Sequence, residues 1–246
     1  LSIRRQRQMC IRDSKMSNQY RVQNPVTNEI VETFDFATDE EIQDVLNRSE
    51  EAFKSWRNTS YEERAEIVGK AAQLLKERAN ELAKIAAEEM GKPIPEGEWE
   101  MNFSGDIMQF YADNAPEHCA PKNVDVPGGK AVVRRLPLGT ILGIMPWNYP
   151  IYQIARFAGP NLMNGNCIIL KHAEITPKSA AAFEQILKDA GLPEGVYINV
   201  YATHDQIETI IADPRVQGVS LTGSERAGAK VAETAGKNLK LSLIHI

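Results

Sequence analysis

Ile141-Leu142-Gly143-Ile144-Met145-Pro146-Trp147-Asn148-Tyr149-Pro150 is the stretch that decides how this chain folds. Its first five residues read as a buried strand. Pro146 has no amide hydrogen to give a ladder, so the strand must stop near it. Tyr149 precedes Pro150 and is biased away from helical backbone angles, which confines Asn148 to a short bent connection between strand and helix. A primary amide held there is a neutral donor that can be aimed at an oxyanion. The competing reading is an Asn that bonds its own turn backbone.

Downstream the alternation continues, with strands predicted near 141–145, 167–170, 196–201, 218–221 and 239–244 and amphipathic helices between them. One helix is marked by Thr176 at the N-cap, Pro177 at the first helical position, Gly191 past the end and Pro193 beyond it. Strands separated by helices of this length pair in parallel through right-handed crossovers. The result is an α/β doubly wound sheet, which binds ligands at the carboxyl ends of its strands. Asn148, Lys171, Glu174 and Ser224 all fall at or just after such ends.

Upstream, from Thr38 to about Ala115, the pattern is helical. Thr38-Asp39-Glu40-Glu41 and Ser60-Tyr61-Glu62-Glu63 both read as capping boxes. Ile42, Val45, Leu46, Ala52, Phe53 and Trp56 recur at helical spacing, as do Ile67, Ala71, Leu74 and Leu75, and mark core faces. A helix from Glu81 to Met90 stops at Gly91 with Pro93 after it. Trp99, Met101, Phe103, Met108, Phe110 and Tyr111 on the next helix read as packing. Between Lys122 and Gly139 a Pro127-Gly128-Gly129 turn joins Val124 and Val126 to Val132 and Val133, a projecting β-hairpin that needs another surface to pack on.

The 246 residues are enough to bury a sizeable core, and a net charge of -5 gives no reason to expect nucleic acid or an anionic membrane as partner. No apolar run approaches the ~18 residues that span a bilayer, so a soluble chain is expected. Cys10, Cys119 and Cys167 lack metal-ligand spacing and fit a reducing, cytoplasmic setting. The histidines His118, His172 and His204 have no partners at such spacing either, and read as surface or supporting residues. Residues 1–15 are Arg-rich and acid-poor; they read as flanking sequence before a native start at Met16, or as an organelle-targeting segment. Leu241-Ser242-Leu243 echoes Leu1-Ser2-Ile3, so residues 241–246 are expected to be a non-native tail.

Lys171-His172-Ala173-Glu174 follows the strand Cys167–Leu170. An ammonium and a carboxylate three residues apart can hold a vicinal diol such as a ribose; the plainer reading is an exposed ion pair. A Glu174 that accepts from a ribose 2′-hydroxyl repels a 2′-phosphate, which favours NAD over NADP. Thr222-Gly223-Ser224 then opens a helix, where free amides and the Ser224 hydroxyl suit a pyrophosphate, although a Gly-Ser start is by itself only a cap. Neither G-x-G-x-x-G nor a P-loop is present at these positions.

In order and spacing these motifs resemble the N-terminal half of the aldehyde dehydrogenase superfamily over about Tyr20 to Lys240: PWNYP stands for its PWNFP, KHAE for KPAE, GLPEGVYINV for its helix-to-strand segment and LTGS for FTGS. The resemblance implies a Rossmann-like five-stranded cofactor fold without the glycine fingerprint. It implies Asn148 as oxyanion donor; Ile144, Met145, Pro146, Trp147, Lys171, Glu174, Gly223 and Ser224 at the cofactor, NAD with NADP possible; and the 122–139 hairpin as a homo-oligomerisation arm. Arg156, eight residues past Asn148, matches the Arg with which succinate-semialdehyde dehydrogenases hold the substrate's distal carboxylate, and the bacterial members of that group are the most similar. The implied domains are a leader at 1–15, a helical part at 16–121, the hairpin, a Rossmann-like NAD(P)-binding part at 140–240 and the tail.

The family's chemistry also needs a cysteine nucleophile and a water-activating Glu, and neither is expected in this chain. The chain therefore reads as the cofactor half of an NAD(P)-dependent aldehyde dehydrogenase, by itself incapable of turnover. Two alternatives remain open: a non-catalytic NAD-binding module that pairs with a full-length relative, and a reductase of acyl phosphates or acyl-CoA, against which Arg156 and PWNYP weigh.

Overall fold

The computed structural model describes residues 19–245; the expectations for residues 1–15, Cys10 and Met16 lie outside them. The described part opens with an antiparallel pair, β1 (Tyr20–Gln23) and β2 (Ile30–Phe34), which the sequence reading missed. Four helices follow: α1 (Asp39–Trp56), α2 (Tyr61–Glu77), α3 (Ala79–Met90) and α4 (Ile94–His118). Both capping boxes form, with Thr38 and Glu41 exchanging bonds at the start of α1 and Ser60 and Glu63 at the start of α2. Helix α3 ends where Gly91 takes a left-handed φ of 74°.

Strands β3 (Lys122–Val124) and β4 (Ala131–Val133) pair antiparallel about a turn at Pro127 and Gly128. Extended pairing ends at Val133, short of Gly139, and the side chains of Val124, Val132 and Val133 are exposed.

The remaining chain alternates as the sequence predicts: β5 (Thr140–Met145), α5 (Pro150–Met163), β6 (Cys167–His172), α6 (Pro177–Asp189), β7 (Tyr197–Asn199), α7 (His204–Ala212), β8 (Val216–Thr222), α8 (Glu225–Lys237) and β9 (Leu241–His245). All five strands are parallel, in the order β7-β6-β5-β8-β9. The chain lays β5 in the centre, winds to one side through β6 and β7, then crosses to the other for β8 and β9. The reversal falls between β5 and β8, where a doubly wound sheet opens its ligand crevice. Asn148 leaves the sheet at that point. Residues 241–245 of the expected foreign tail supply the β9 edge, with Leu241 and Leu243 exposed.

Strand alternation builds two cores. Ile141 and Met145 face α5 with Ile168 and Leu170, whereas Leu142 faces the other layer with Ile169, Val219 and Leu221 against α1, α7 and α8. Each fully buried aliphatic side chain contributes roughly 1.5–3 kcal/mol. Helix α5 lies so close to β5 that a Cβ on Gly143 would sit 2.5 Å from Phe157 Cε1. At its far end α5 is held by the buried Arg64, which donates to the carbonyls of Met163, Trp56, Arg57 and Thr59 in place of a carboxylate. Among the described residues no helix is long and apolar enough to cross a membrane.

One packing expectation needs correction. Met101 and Met108 are buried, but Trp99, Phe103 and Phe110 are exposed on the other face of α4. Trp99 stacks on Phe103 at 5.1 Å through their i, i+4 spacing, and Phe103 on Tyr152 of α5 at 5.7 Å, so the three rings form a surface ladder across two helices. Of the two readings given for His172, surface or supporting residue, the structure bears out the second: it is fully buried at the last position of a central strand under α5.

Candidate active site

The strand end, Pro146 and Pro150 shape the Asn148 connection as the sequence predicts. Trp147, Asn148 and Tyr149 are all exposed there. Among the described residues no hydrogen bond engages the Asn148 side chain, so the self-bonded turn is not what forms. The amide is free to meet a ligand at the crevice.

On the adjacent strand β6, Lys171 pairs in register with Ile144 of β5 and shares its face. Lys171 is 5% exposed, and its ammonium forms an ion pair with Glu174 just past the strand end. Burial alone would raise the Glu174 carboxyl, but the Lys171 ammonium, which both attracts and bonds it, together with a backbone bond holds the group below the usual carboxylate range. The pair is thus more enclosed than the exposed bridge the sequence allowed. Tyr20 supports it from beneath: its ring lies 5.6 Å from Lys171 Nζ and its hydroxyl donates to the carbonyls of His172 and Ala202. His204, at the start of α7, reaches Glu174 at 3.6 Å from an exposed position.

On the other side of β5, strand β8 runs into Gly223 and Ser224. The Gly223 amide is spent on the His245 carbonyl at 3.0 Å, and the Ser224 oxygen accepts from Ala227 at 3.3 Å as the N-cap of α8. The expected anion site is therefore smaller than the sequence implied. It comprises the Ser224 hydroxyl hydrogen and the next two helix amides. A Cβ on Gly223 would meet nothing closer than Leu221 Cδ2 at 3.5 Å, so the approach is open. An ammonium–carboxylate pair for a diol and a helix start for an anion, flanking one crevice, form a donor set that fits a dinucleotide.

The opposite sheet face carries Met145 and His172. The side chain of Met145 is 3% exposed on the α5 side, so only its backbone is available to the Lys171 face. His172 bonds the Pro150 carbonyl through Nε2 at 3.1 Å and the Thr176 hydroxyl through Nδ1 at 2.7 Å. A carbonyl only accepts, so Nε2 carries the proton and Nδ1 accepts from Thr176. Burial, reinforced by Lys171, pushes the imidazole down to about 4. Thr176 stands at the N-cap of α6 as predicted, but its hydroxyl serves His172 and not the helix. The cap comes from Glu89, which accepts from the amides of Lys178 and Ser179 and from the Ser179 hydroxyl. Burial pushes the Glu89 carboxyl up to about 7 against those bonds.

The segment after Asn148 has further buried partners that sequence reasoning missed. Glu100 of α4 accepts from the amides of Ile151 at 2.9 Å and Tyr152 at 3.0 Å and forms an ion pair with Lys92. The Lys92 ammonium lies 3.8 Å from the centre of the Tyr149 ring.

Arg156 is half-buried on α5, with its guanidinium 5.9 Å from the Tyr152 ring. It lines a groove of about 230 Å³ with Met145, Phe157, Leu241, Leu243 and His245, on the face opposite Lys171. The structure thus gathers Asn148, Lys171, Glu174 and Ser224 at one edge and sets Arg156 around the corner from them. Cys167 is buried in β6, and burial pushes its thiol up to about 12, which removes it as a nucleophile. Cys119 sits by Asn164, past the far end of the 14-residue α5 and so about 21 Å along that axis from the Asn148 turn. No cluster of three or more metal-ligating residues occurs among the described residues.

Comparison with known proteins identifies the family and the fold. The profile of the aldehyde dehydrogenase family matches residues 11–245. The succinate-semialdehyde dehydrogenase (NADP(+)) of Deinococcus radiodurans is 47% identical over 223 residues, covering 91% of this chain and 47% of that protein. The succinate semialdehyde dehydrogenase (NAD(P)+) of Escherichia coli K12 is 36% identical, with 91% and 48% covered. Among solved structures, the succinic semialdehyde dehydrogenase of Streptococcus pyogenes in complex with NADP+ superposes with a TM-score of 0.89 at 41% identity, covering 92% of this chain and 50% of that one. The chain spans about half the length of the curated relatives it matches. Parallel sheet, crevice and motif order agree with that match, and the chain belongs to the aldehyde dehydrogenase family.

Proposed function

We propose that this chain forms the dinucleotide-binding half of an NAD(P)-dependent aldehyde dehydrogenase that oxidises a carboxylate-bearing aldehyde of the succinate-semialdehyde type. The observation that carries the reading is the exposed, unbonded Asn148 amide at the end of β5, beside the buried Lys171–Glu174 pair on β6. Asn148 donates to the oxygen of the reacting carbonyl as it gains negative charge. Lys171 and Glu174 hold the adenosine ribose, and the start of α8 at Ser224 receives the pyrophosphate. Pro146 and Trp147 border the same crevice. A bound nicotinamide supplies the hydride acceptor. Arg156 holds the distal carboxylate of the aldehyde from the α5 side.

Glu174 governs the choice of cofactor. Its negative charge opposes a 2′-phosphate, which favours NAD; its pairing with Lys171 offsets part of that charge, and the relatives named for NADP(+) support acceptance of both. The exposed valines of the β3–β4 hairpin support its role as an oligomerisation arm. The thiolate comes from outside the described residues, since Cys167 is buried in β6 and Cys119 lies past the far end of α5. The test is turnover by the chain joined to the catalytic half of its Deinococcus relative. Asn148→Ala is expected to lower kcat by about 10²–10³-fold with KM little changed, and an unchanged kcat would refute its role.

A further inference from the structure

Three of the four residues that follow Asn148, Tyr149, Ile151 and Tyr152, are gripped by one buried charged pair. Glu100 is 0% exposed, yet one of its oxygens takes the amides of Ile151 and Tyr152, the first free donors of α5, while the other faces Lys92. Lys92 is 6% exposed and turns its ammonium to the Tyr149 ring, 3.8 Å away. Lys92 lies in the link between α3 and α4, and Glu100 lies on the second turn of α4. The pair therefore ties α4 and the link before it to the start of α5, directly behind the exposed turn.

Stability does not explain such a pair. Desolvating two charges costs several kcal/mol, and apolar residues of similar volume commonly serve as well or better. A carboxylate that accepts two helix amides does something an apolar pair cannot: it fixes where the first turn of α5 begins. The cation against the Tyr149 ring adds a lateral stop one residue from Asn148. We infer that Lys92 and Glu100 are positioning residues that set the direction of the Asn148 amide, an inference that rests on Asn148 being the oxyanion donor.

The test measures backbone order at Asn148 by ¹⁵N relaxation in the full chain, so it does not depend on whether Asn148 acts in catalysis; the turnover of Asn148→Ala decides that separately. In the native chain residues 147–149 are expected near an order parameter of about 0.85, the value of rigid backbone. In Lys92→Met/Glu100→Leu, which removes both charges and the two-amide acceptor, they are expected to fall below about 0.6 while the turn at Gly191 to Gly195 keeps its value. Lys92→Met/Glu100→Gln restores an acceptor for the two amides without the ion pair or the Lys92 stop and is expected to recover part of the order of the turn, a rescue that a role in stability alone would not produce. If the Leu variant does not fold, Tyr149→Ala is read in its place: it leaves the buried pair intact, removes the lateral stop and is expected to loosen residues 147–148. Unchanged order at Asn148 in a folded Leu variant, failure of the Gln variant to restore any of it, or an indifferent Tyr149→Ala would each overturn the inference.

Discussion

His172 makes stability depend on pH in a direction that the structure fixes. The ring is fully buried between the Pro150 carbonyl and the Thr176 hydroxyl, and its folded value lies near 4 against 6.5 for an ordinary imidazole. Burial is the main cause; the Lys171 charge lowers it further, while Glu174 and the bond to Pro150 oppose. Because the folded state holds the proton more weakly than the unfolded chain, this contribution is fully present above 6.5 and is lost as pH falls toward 4. Between pH 7.5 and 5 the loss amounts to roughly 2 kcal/mol, about 1.4 units at 1.36 kcal/mol each. Urea unfolding of the native chain and of His172→Gln at both pH values isolates it, since all other groups titrate alike in the two proteins. The native advantage over the variant is expected to shrink by that amount on acidification. An advantage that stays constant within about 0.5 kcal/mol would refute the assignment of a buried neutral imidazole.

Glu89 predicts the opposite slope. Its folded value near 7 lies above the unfolded 4.5, so its contribution is present at low pH and lost as pH rises through 7. Relative to Glu89→Gln, the native chain should therefore lose roughly 2–3 kcal/mol between pH 5 and 8 in the same urea assay; a gain would contradict the burial argument. Gly143→Ala forces a methyl group against Phe157 and is expected to cost about 1–3 kcal/mol, read as a lower urea midpoint at unchanged slope. No loss would mean that α5 does not press on β5 as described.

How much of this was legible in the sequence can be followed residue by residue. The β5 turn could be read because two prolines and an apolar run act locally, whatever surrounds them. The boxes at Thr38 and Ser60 could be read for the same reason, since each is closed within four residues. The five strands and their order of appearance followed from periodicity, although their lateral order did not. His172, Lys92, Glu89 and Glu100 could not be read. A charged or titratable residue on an amphipathic segment normally faces water, and only tertiary packing turns these four inward: α5 against Lys92, Glu100 and His172, and the start of α6 against Glu89. Thr176 shows the same limit in miniature: its N-cap position was visible, but its partner lies on a neighbouring strand. The β1–β2 pair escaped notice because four or five residues give too little alternation to stand out.

Cofactor binding tests the central claim most directly, since it asks whether the edge carrying Lys171, Glu174 and Ser224 is a dinucleotide site. Calorimetric titration of the chain with NAD+ and with NADP+ should show binding of a dinucleotide. Lys171→Met should weaken it by at least about tenfold, a charge-assisted bond being worth about 1.5–3 kcal/mol. Glu174→Gln should shift preference toward NADP+, and Asn148→Ala should leave affinity unchanged. Equal binding by the native chain and Lys171→Met would contradict the account.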